Sequence, residues 1–372
     1  MKIEDLKYYD ITSLLKRGKD AKYLVCFGER SNGKSYQVLL YALKDFLKTG
    51  HQIAIVRRWS EDFRGKRAST VWDNLVMNEQ GENMVEILTK GKYNNVSYRS
   101  GAWYLSYYDN DLEKDILHPK PLGWKFSLSD SEHDKSTSYN LVNTILFDEF
   151  IPKGGVYLPD EFITFMNVCS TIIRGRDTVK IFMCANTISK YCLYFDEMGL
   201  NNIRKMKKGD IDIYQYGDSG LQVAVEYCDS PNQSKPSDVY FAFDNPSLRM
   251  ITKGEWQLEI YPHLRNKYEQ RDIKASYFIV FKENILQADI VLKNNEAFTF
   301  IHKKTTEIKY EDKDIIFSTD ADQRCNYLGK LTKPTTMTGK KIYYFFAANK
   351  VFYATNEVGD IMSHYLAWCN QR

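Results

Sequence analysis

Three segments follow one another without interruption near the start of this 372-residue chain: KYLVCFG (22–28), GERSNGKS (28–35) and SYQVLLYALKDFLKTG (35–50). That order restricts the fold more than any other feature. The first segment is a short apolar run closed by glycine, which reads as a buried strand. In the third, Val38, Leu39, Ala42, Leu43 and Phe46 recur at helical spacing, and Gly50 stands where a C-cap belongs. HQIAIVRRW then supplies a second buried-type strand from Ile53 to Val56. A strand, a crossover helix and a second strand imply a parallel sheet and an α/β architecture.

The middle segment fits the pattern GxxxxGKS, a loop that cradles phosphate. Gly28 is expected to let the chain turn after the strand, and Gly33 to let the backbone approach an anion. The amides of Glu29, Arg30, Ser31 and Asn32 then point inward as donors. A helix starting near Lys34 aims its dipole at the same anion. Lys34 is placed to neutralise β and γ phosphates, and Ser35 to offer an oxygen to Mg²⁺.

NTILFDEF (143–150) reads as another core strand, ending in two carboxylates. Asp148 suits a hydrated Mg²⁺ beside Ser35, and Glu149 suits activation of an attacking water, which favours ATP hydrolysis over binding alone. No NKxD-like guanine-reading element is present. VKIFMCAN (179–186) is a further core strand whose terminal Asn186 either reads a γ-phosphate or caps a turn. Arg174 and Arg176 follow a helical segment, PDEFITFMNVCSTIIR (159–174), and suit either transition-state charge or a surface ion pair. Arg57, Arg58, Arg64, Lys66 and Arg67, interleaved with Trp59 and Phe63, read as DNA-backbone contacts or as a solvated basic face.

Length allows two domains. A hydrophobic content of 43% supports a core, and a net charge of +3 neither demands nor excludes nucleic acid. The seven cysteines are scattered with no CxxC, which opposes a disulfide framework or zinc knuckle and fits a reducing cytosol. No run approaches 18 apolar residues, and MKIEDLKYYD does not read as a secretory leader. VSYRSGAWYLSYYD (96–109) suggests a hairpin, and HPKPLGW (118–124) a turn-rich passage. After about residue 200 the chain turns polar, with a basic patch at Arg204, Lys205, Lys207 and Lys208 that reads as a linker. From 236 to 355, ASYFIVF, NILQADIVL, EAFTFIHK, KDIIFSTD and KKIYYFFA predict an antiparallel meander, followed by a helix near 358–370. Asp244, Asp289, Asp320 and Asp322 lie here, but their spacing identifies no two-metal cluster.

Taken in order, GERSNGKS, IVRRW, ILFDEF, the RGR segment (174–176) and FMCANTIS (182–189) resemble the DNA-packaging ATPases of small protein-primed tailed phages, the Picovirinae. These are compact relatives of large terminase subunits. The resemblance implies a P-loop NTPase of the additional-strand catalytic-glutamate type with a mainly parallel sheet (1–200). It also implies a linker (201–235) and a smaller α+β ribonuclease-H-like domain that has lost its cleavage site (236–372). It further implies ATP and Mg²⁺ as cofactors and double-stranded DNA and a prohead portal as partners. A packaging RNA is an optional further partner, the assembly is a pentameric ring, and the setting is the host cytoplasm and the portal vertex. In that frame Asp148 holds Mg²⁺, Glu149 is catalytic, Asn186 couples hydrolysis to motion, and Arg174, or alternatively Arg176, acts in trans. Rival readings are a nuclease-active terminase, a helicase, and a structural phage protein that binds nucleotide without turnover.

Overall fold

The computed structural model describes residues 9–29, 32–78, 81–130, 138–152, 157–186, 192–229, 261–264 and 267–370, the side chains of Arg204 and Asp218 excepted. The chain divides into two compact units, Met1–Trp256 and Gln257–Arg372.

In the first unit, α1 (Thr12–Arg17) precedes β1 (Tyr23–Gly28), the glycine loop, α2 (Lys34–Thr49) and β2 (Gln52–Arg57). Three short helices follow, α3 (Lys66–Ser69), α4 (Asp73–Val76) and α5 (Met84–Thr89). The hairpin β3 (Asn95–Arg99) and β4 (Ala102–Asp109) leads to β5 (Lys114–Leu117) and β6 (Gly123–Ser127). β7 (Val142–Asp148), α6 (Glu161–Ile173), β8 (Lys180–Asn186) and α7 (Leu193–Glu197) come next, then β9 (Ile211–Tyr216) and β10 (Leu221–Cys228).

These strands form one sheet in the order β3-β4-β6-β2-β7-β8-β1-β10-β9, with β5 on β4. From β6 to β10 every neighbouring pair is parallel; the two flanks are antiparallel. β8 is inserted between the loop-bearing β1 and the carboxylate-bearing β7, which is the additional strand that the resemblance implies. The fold is that of a P-loop NTPase of this type.

Strand alternation divides the core into two layers. Val25 and Phe27 of β1 pack on the side of α6 and α7, while Leu24 and Cys26 pack with α2. α2 buries the five apolar residues expected, each large one worth roughly 1.5–3 kcal/mol. It stops at Gly50, whose φ of 79° lets its N–H reach Phe46 O at 2.8 Å.

Two regions differ from the sequence expectation. Residues 118–122 are irregular as expected, but β6 begins at Gly123, inside the end of the expected turn-rich passage, and pairs in parallel with β2. A Cβ at Gly123 would sit 2.8 Å from Ile53 O, so this glycine marks close strand approach. Residues 201–235 are not simply a linker: β9 and β10 join the first sheet, with Tyr23 opposite Val223. β10 is buried along most of its length, and that burial against β1 outweighs the polar flanks that suggested a connector.

The second unit contains β11 (Ile273–Phe281), β12 (Asn284–Lys293), β13 (Glu296–Lys303), β14 (Ile316–Ser318) and β15 (Tyr327–Leu328). Then come α8 (Met337–Ala347), β16 (Val351–Tyr353) and α9 (Asn356–Asn370). The sheet order is β15-β14-β11-β12-β13-β16. β11 to β13 are antiparallel as expected, but β14, β15 and β16 pair in parallel, so the unit is not a pure meander. Beside the three antiparallel strands, β14 and β15 extend the sheet in parallel from β11, and β16 does so from β13. KKIYYFFA, expected as a strand, is part of α8. Thr336 caps that helix by accepting from Gly339 N at 3.0 Å, and Ile342 is buried, so cap and packing override the aromatic β-propensity.

Candidate active site

The glycine loop leaves β1 at Gly28, which lies level with Asn186 on one side and Cys228 on the other. A Cβ at Gly28 would stand 2.9 Å from Cys228 O and 3.4 Å from Asn32 Nδ2. Close approach of β10 and the loop therefore requires this glycine, rather than the turn expected. Gly33 has a φ of 92° and caps α2, a conformation open to glycine at little cost. α2 begins at Lys34, as the motif predicts. Arg30 and Ser31 lie outside the described residues.

Lys34 is buried, and its Nζ donates to Glu29 O at 2.6 Å and Asn32 Oδ1 at 2.9 Å. Burial lowers its pKa. Beneath it, Cys26 and Cys228 are held well above the usual thiol range, Cys26 by its contact with Cys184 and Cys228 by burial. The ammonium thus rests on neutral oxygens and neutral thiols. Among the described residues, Asn32 Nδ2 and Arg57 Nε are buried without a hydrogen-bond partner. A desolvated cation and two orphaned donors around one loop fit an anion. Glu29 is ion-paired with Lys208, which ties the loop to the segment before β9.

β7 delivers Asp148 to the same edge. Ser35 Oγ donates to Asp148 Oδ1 at 2.6 Å, and Arg57 Nη2 donates to Asp148 Oδ2 at 2.8 Å. A hydroxyl and a carboxylate side by side are hard oxygen donors of the kind magnesium takes, so the residues present fit that ion. A cavity of about 320 Å³ opens there, lined in part by Ser35, Tyr36, Arg57, Arg67, Thr70 and Asp148. Glu149 follows with an exposed side chain and a φ of 60°, left-handed backbone that few non-glycine residues hold. Asn186 ends β8 level with Gly28, on the ligand-binding edge of the sheet.

The five basic residues expected to meet DNA separate. Arg57 is engaged with Asp148, and Arg67 lines the cavity. Arg58 is buried and holds Glu161 through Nε and Nη2 at 2.7 and 2.8 Å, because its stem runs inward from the end of β2. For these two arginines at the strand end, the DNA-contact expectation is corrected. Arg64 and Lys66 are exposed.

Arg174 is exposed at the C-terminus of α6 with a φ of 45°. Arg176 donates to the carbonyls of Asn140 and Val142, at the start of β7, and to Ile172 at 2.6 Å. Asp148 is at the other end of β7 from the carbonyls that Arg176 holds. The carbonyl contacts give Arg176 a structural task.

In the second unit, Asp289 is buried and accepts from Ser276 Oγ at 2.7 Å, Gln287 Nε2 at 3.0 Å, Tyr268 OH at 3.1 Å and His302 Nε2 at 3.3 Å. Burial raises its pKa, but the bonds from His302, Gln287 and Ser276 outweigh that and hold it at about 2. Asp322 is bound to Arg324. Asp244 lies outside the described residues. Among the described residues no group of three or more His, Cys, Asp or Glu is placed to hold a metal.

Sequence reasoning missed three residues. Glu161, fully buried at the start of α6, carries no local signal separating it from an ordinary first-turn acid. Tyr9 donates its N–H to Asn32 O at 2.9 Å and its hydroxyl to Glu226 Oε2 at 2.6 Å. It thereby joins the phosphate loop to β10. Burial pushes Glu226 up to about 7. Apolar neighbours in LQVAVEYC were the available hint.

A profile of the family described as podovirus DNA encapsidation protein (Gp16) matches residues 3–208. The DNA packaging protein of Bacillus phage phi29 is 26% identical over 190 residues, covering 50% of this chain and 49% of that protein. That of Bacillus phage B103 is 27% identical over 175 residues, 46% of each. The chain thus spans about half the length of the curated relatives it matches. Among solved structures, the bacteriophage Phi-29 viral genome packaging motor assembly has a chain that is 17% identical. The match covers 98% of this chain and all of that one, with a TM-score of 0.54. The Phi-28 gp11 DNA packaging motor is 16% identical, covering 98% and 97%, with a TM-score of 0.50. Both share the fold. With more than half its residues matched by that profile, the chain belongs to the podovirus DNA encapsidation protein (Gp16) family.

Proposed function

We propose that this chain is an ATP-hydrolysing motor that moves double-stranded viral DNA into a preformed prohead. The observation that carries the reading is the convergence of Lys34, Ser35 and Asp148 on one loop, with Ser35 Oγ 2.6 Å from Asp148 Oδ1. The likeness to proteins described as DNA packaging proteins supports the DNA substrate.

Lys34 neutralises phosphate charge, and the amides of residues 28–35 orient it. Ser35 and Asp148 would hold magnesium, which when bound supplies Lewis acidity to the phosphate oxygens. Glu149 accepts a proton from water as general base. Asn186, on the strand between loop and carboxylate, senses the γ-phosphate. Arg174 reaches a neighbouring subunit's site in a ring, proposed as pentameric, since it is exposed and stands two residues before Arg176, which holds the start of β7, the end opposite Asp148. Arg64 and Lys66 meet the DNA backbone. The proposed setting is the portal vertex in the host cytoplasm; no described helix is long and apolar enough to cross a membrane.

The test is ATP-driven uptake of DNA into purified cognate proheads, scored by nuclease protection. Protection of full-length DNA that requires hydrolysable ATP and this chain is expected. Unwinding of a forked duplex without uptake would overturn the reading in favour of a helicase.

A further inference from the structure

The charge centre formed by Arg58 and Glu161 has no place in phosphate chemistry, yet it is among the most enclosed in the first unit. Arg58 is 5% exposed and Glu161 is 0% exposed. Buried ion pairs are expensive to desolvate and contribute little net stability compared with an apolar core. What such a pair fixes is geometry, so its contacts indicate its use.

Arg58 meets Glu161 with a two-pronged contact, Nε to Oε2 at 2.7 Å and Nη2 to Oε1 at 2.8 Å. Its remaining reach is spent on main chain: Nη1 donates to Glu149 O at 3.2 Å and Nη2 to Phe150 O at 2.8 Å. Those carbonyls belong to the turn just after β7. There β7 has ended, although Phe150 N still donates to Cys184 O of β8 at 3.3 Å, and Glu149 has a φ of 60°. Glu161 in turn accepts from Leu158 N at 2.7 Å and Tyr194 OH at 2.8 Å. The guanidinium also lies over the rings of Tyr157 at 5.4 Å and Phe147 at 6.0 Å. One centre therefore joins the end of β2, the Glu149 turn, the start of α6 and α7.

We infer that Arg58 and Glu161 are positioning residues for Glu149, clamping the two carbonyls of its turn so that its carboxylate is presented beside Asp148. The inference rests on the reading of Glu149 as general base. A planar fork with several fixed donors suits this task. A lysine offers one flexible point of contact and cannot hold Glu161 and both carbonyls together.

The test is a double-mutant cycle on the full chain, reading the single-turnover hydrolysis rate at saturating ATP, the affinity for a fluorescent ATP analogue, and thermal unfolding. Arg58→Lys in the wild-type background is expected to lower the hydrolysis rate about tenfold or more, with nucleotide affinity changed less than about twofold. In a Glu149→Gln background the same substitution is expected to lower the residual rate no further. Tyr194→Phe, which removes one hydroxyl and no charge, repeats the cycle at smaller amplitude if Arg58→Lys does not fold. An equal rate loss in both backgrounds, or a loss that tracks affinity, would overturn the clamp. A Glu149→Gln variant that hydrolyses ATP normally would instead remove the reading beneath it.

Discussion

Asp148 and Asp289 are both shielded carboxylates on central strands, with side chains 13% and 4% exposed. Asp148 ends a parallel strand. It is held by a hydroxyl and a guanidinium at the mouth of a cavity. Asp289 sits mid-strand and is surrounded by Tyr268, Ser276, Gln287 and His302. Similar burial thus accompanies opposite availability. A carboxylate at the C-terminal edge of a parallel sheet can exchange its partners for a ligand, whereas one enclosed by four donors has spent its lone pairs on the fold.

Exchanging each aspartate for asparagine sharpens this contrast. Asp148→Asn is expected to lower ATP turnover by on the order of 10²-fold in a steady-state assay while the first unit still folds. Asp289→Asn is expected to leave turnover unchanged and to destabilise the second unit by about 1–3 kcal/mol in urea unfolding. A turnover loss in Asp289→Asn with its stability intact would break the comparison.

The units should also respond to pH with opposite sign. Glu226, raised to about 7 by burial, takes up protons on folding. Its contribution is fully present below pH 4.5 and is lost as pH rises through 7, on the order of 3 kcal/mol. Asp289, held at about 2, contributes above pH 3.8 and loses that contribution as pH falls toward 2. Hydrogen exchange on each unit across this range reads both slopes, and Glu226→Gln should flatten the first. A smaller effect is expected at the surface. Arg64→Ala with Lys66→Ala should reduce the salt-dependence slope of DNA binding by about two, one for each phosphate no longer neutralised.

Much of the first unit was legible because its signals are local. The strand, GERSNGKS and the stripe Val38 to Phe46 fix one another within 30 residues, and ILFDEF marks the end of a buried strand by composition alone. Arg57 and Arg58 were not legible. Two adjacent arginines after a strand look like a basic surface, and only the placement of β7 and α6 beside β2 turns one toward Asp148 and buries the other on Glu161. β6 and β10 were hidden for a related reason, since a turn-rich preface and polar flanks outweighed short apolar cores that only pairing reveals. In α8, four successive aromatics fit neither strand nor helix periodicity, and the Thr336 cap decides.

The central claim is that the edge carrying Ser35, Asp148 and Glu149 hydrolyses ATP with Glu149 as base. Single-turnover hydrolysis by Glu149→Gln, with ATP binding measured on the same sample, tests it most directly. ATP bound with wild-type affinity and hydrolysis slowed by about 10²- to 10⁴-fold are expected. Hydrolysis at the wild-type rate would contradict that claim.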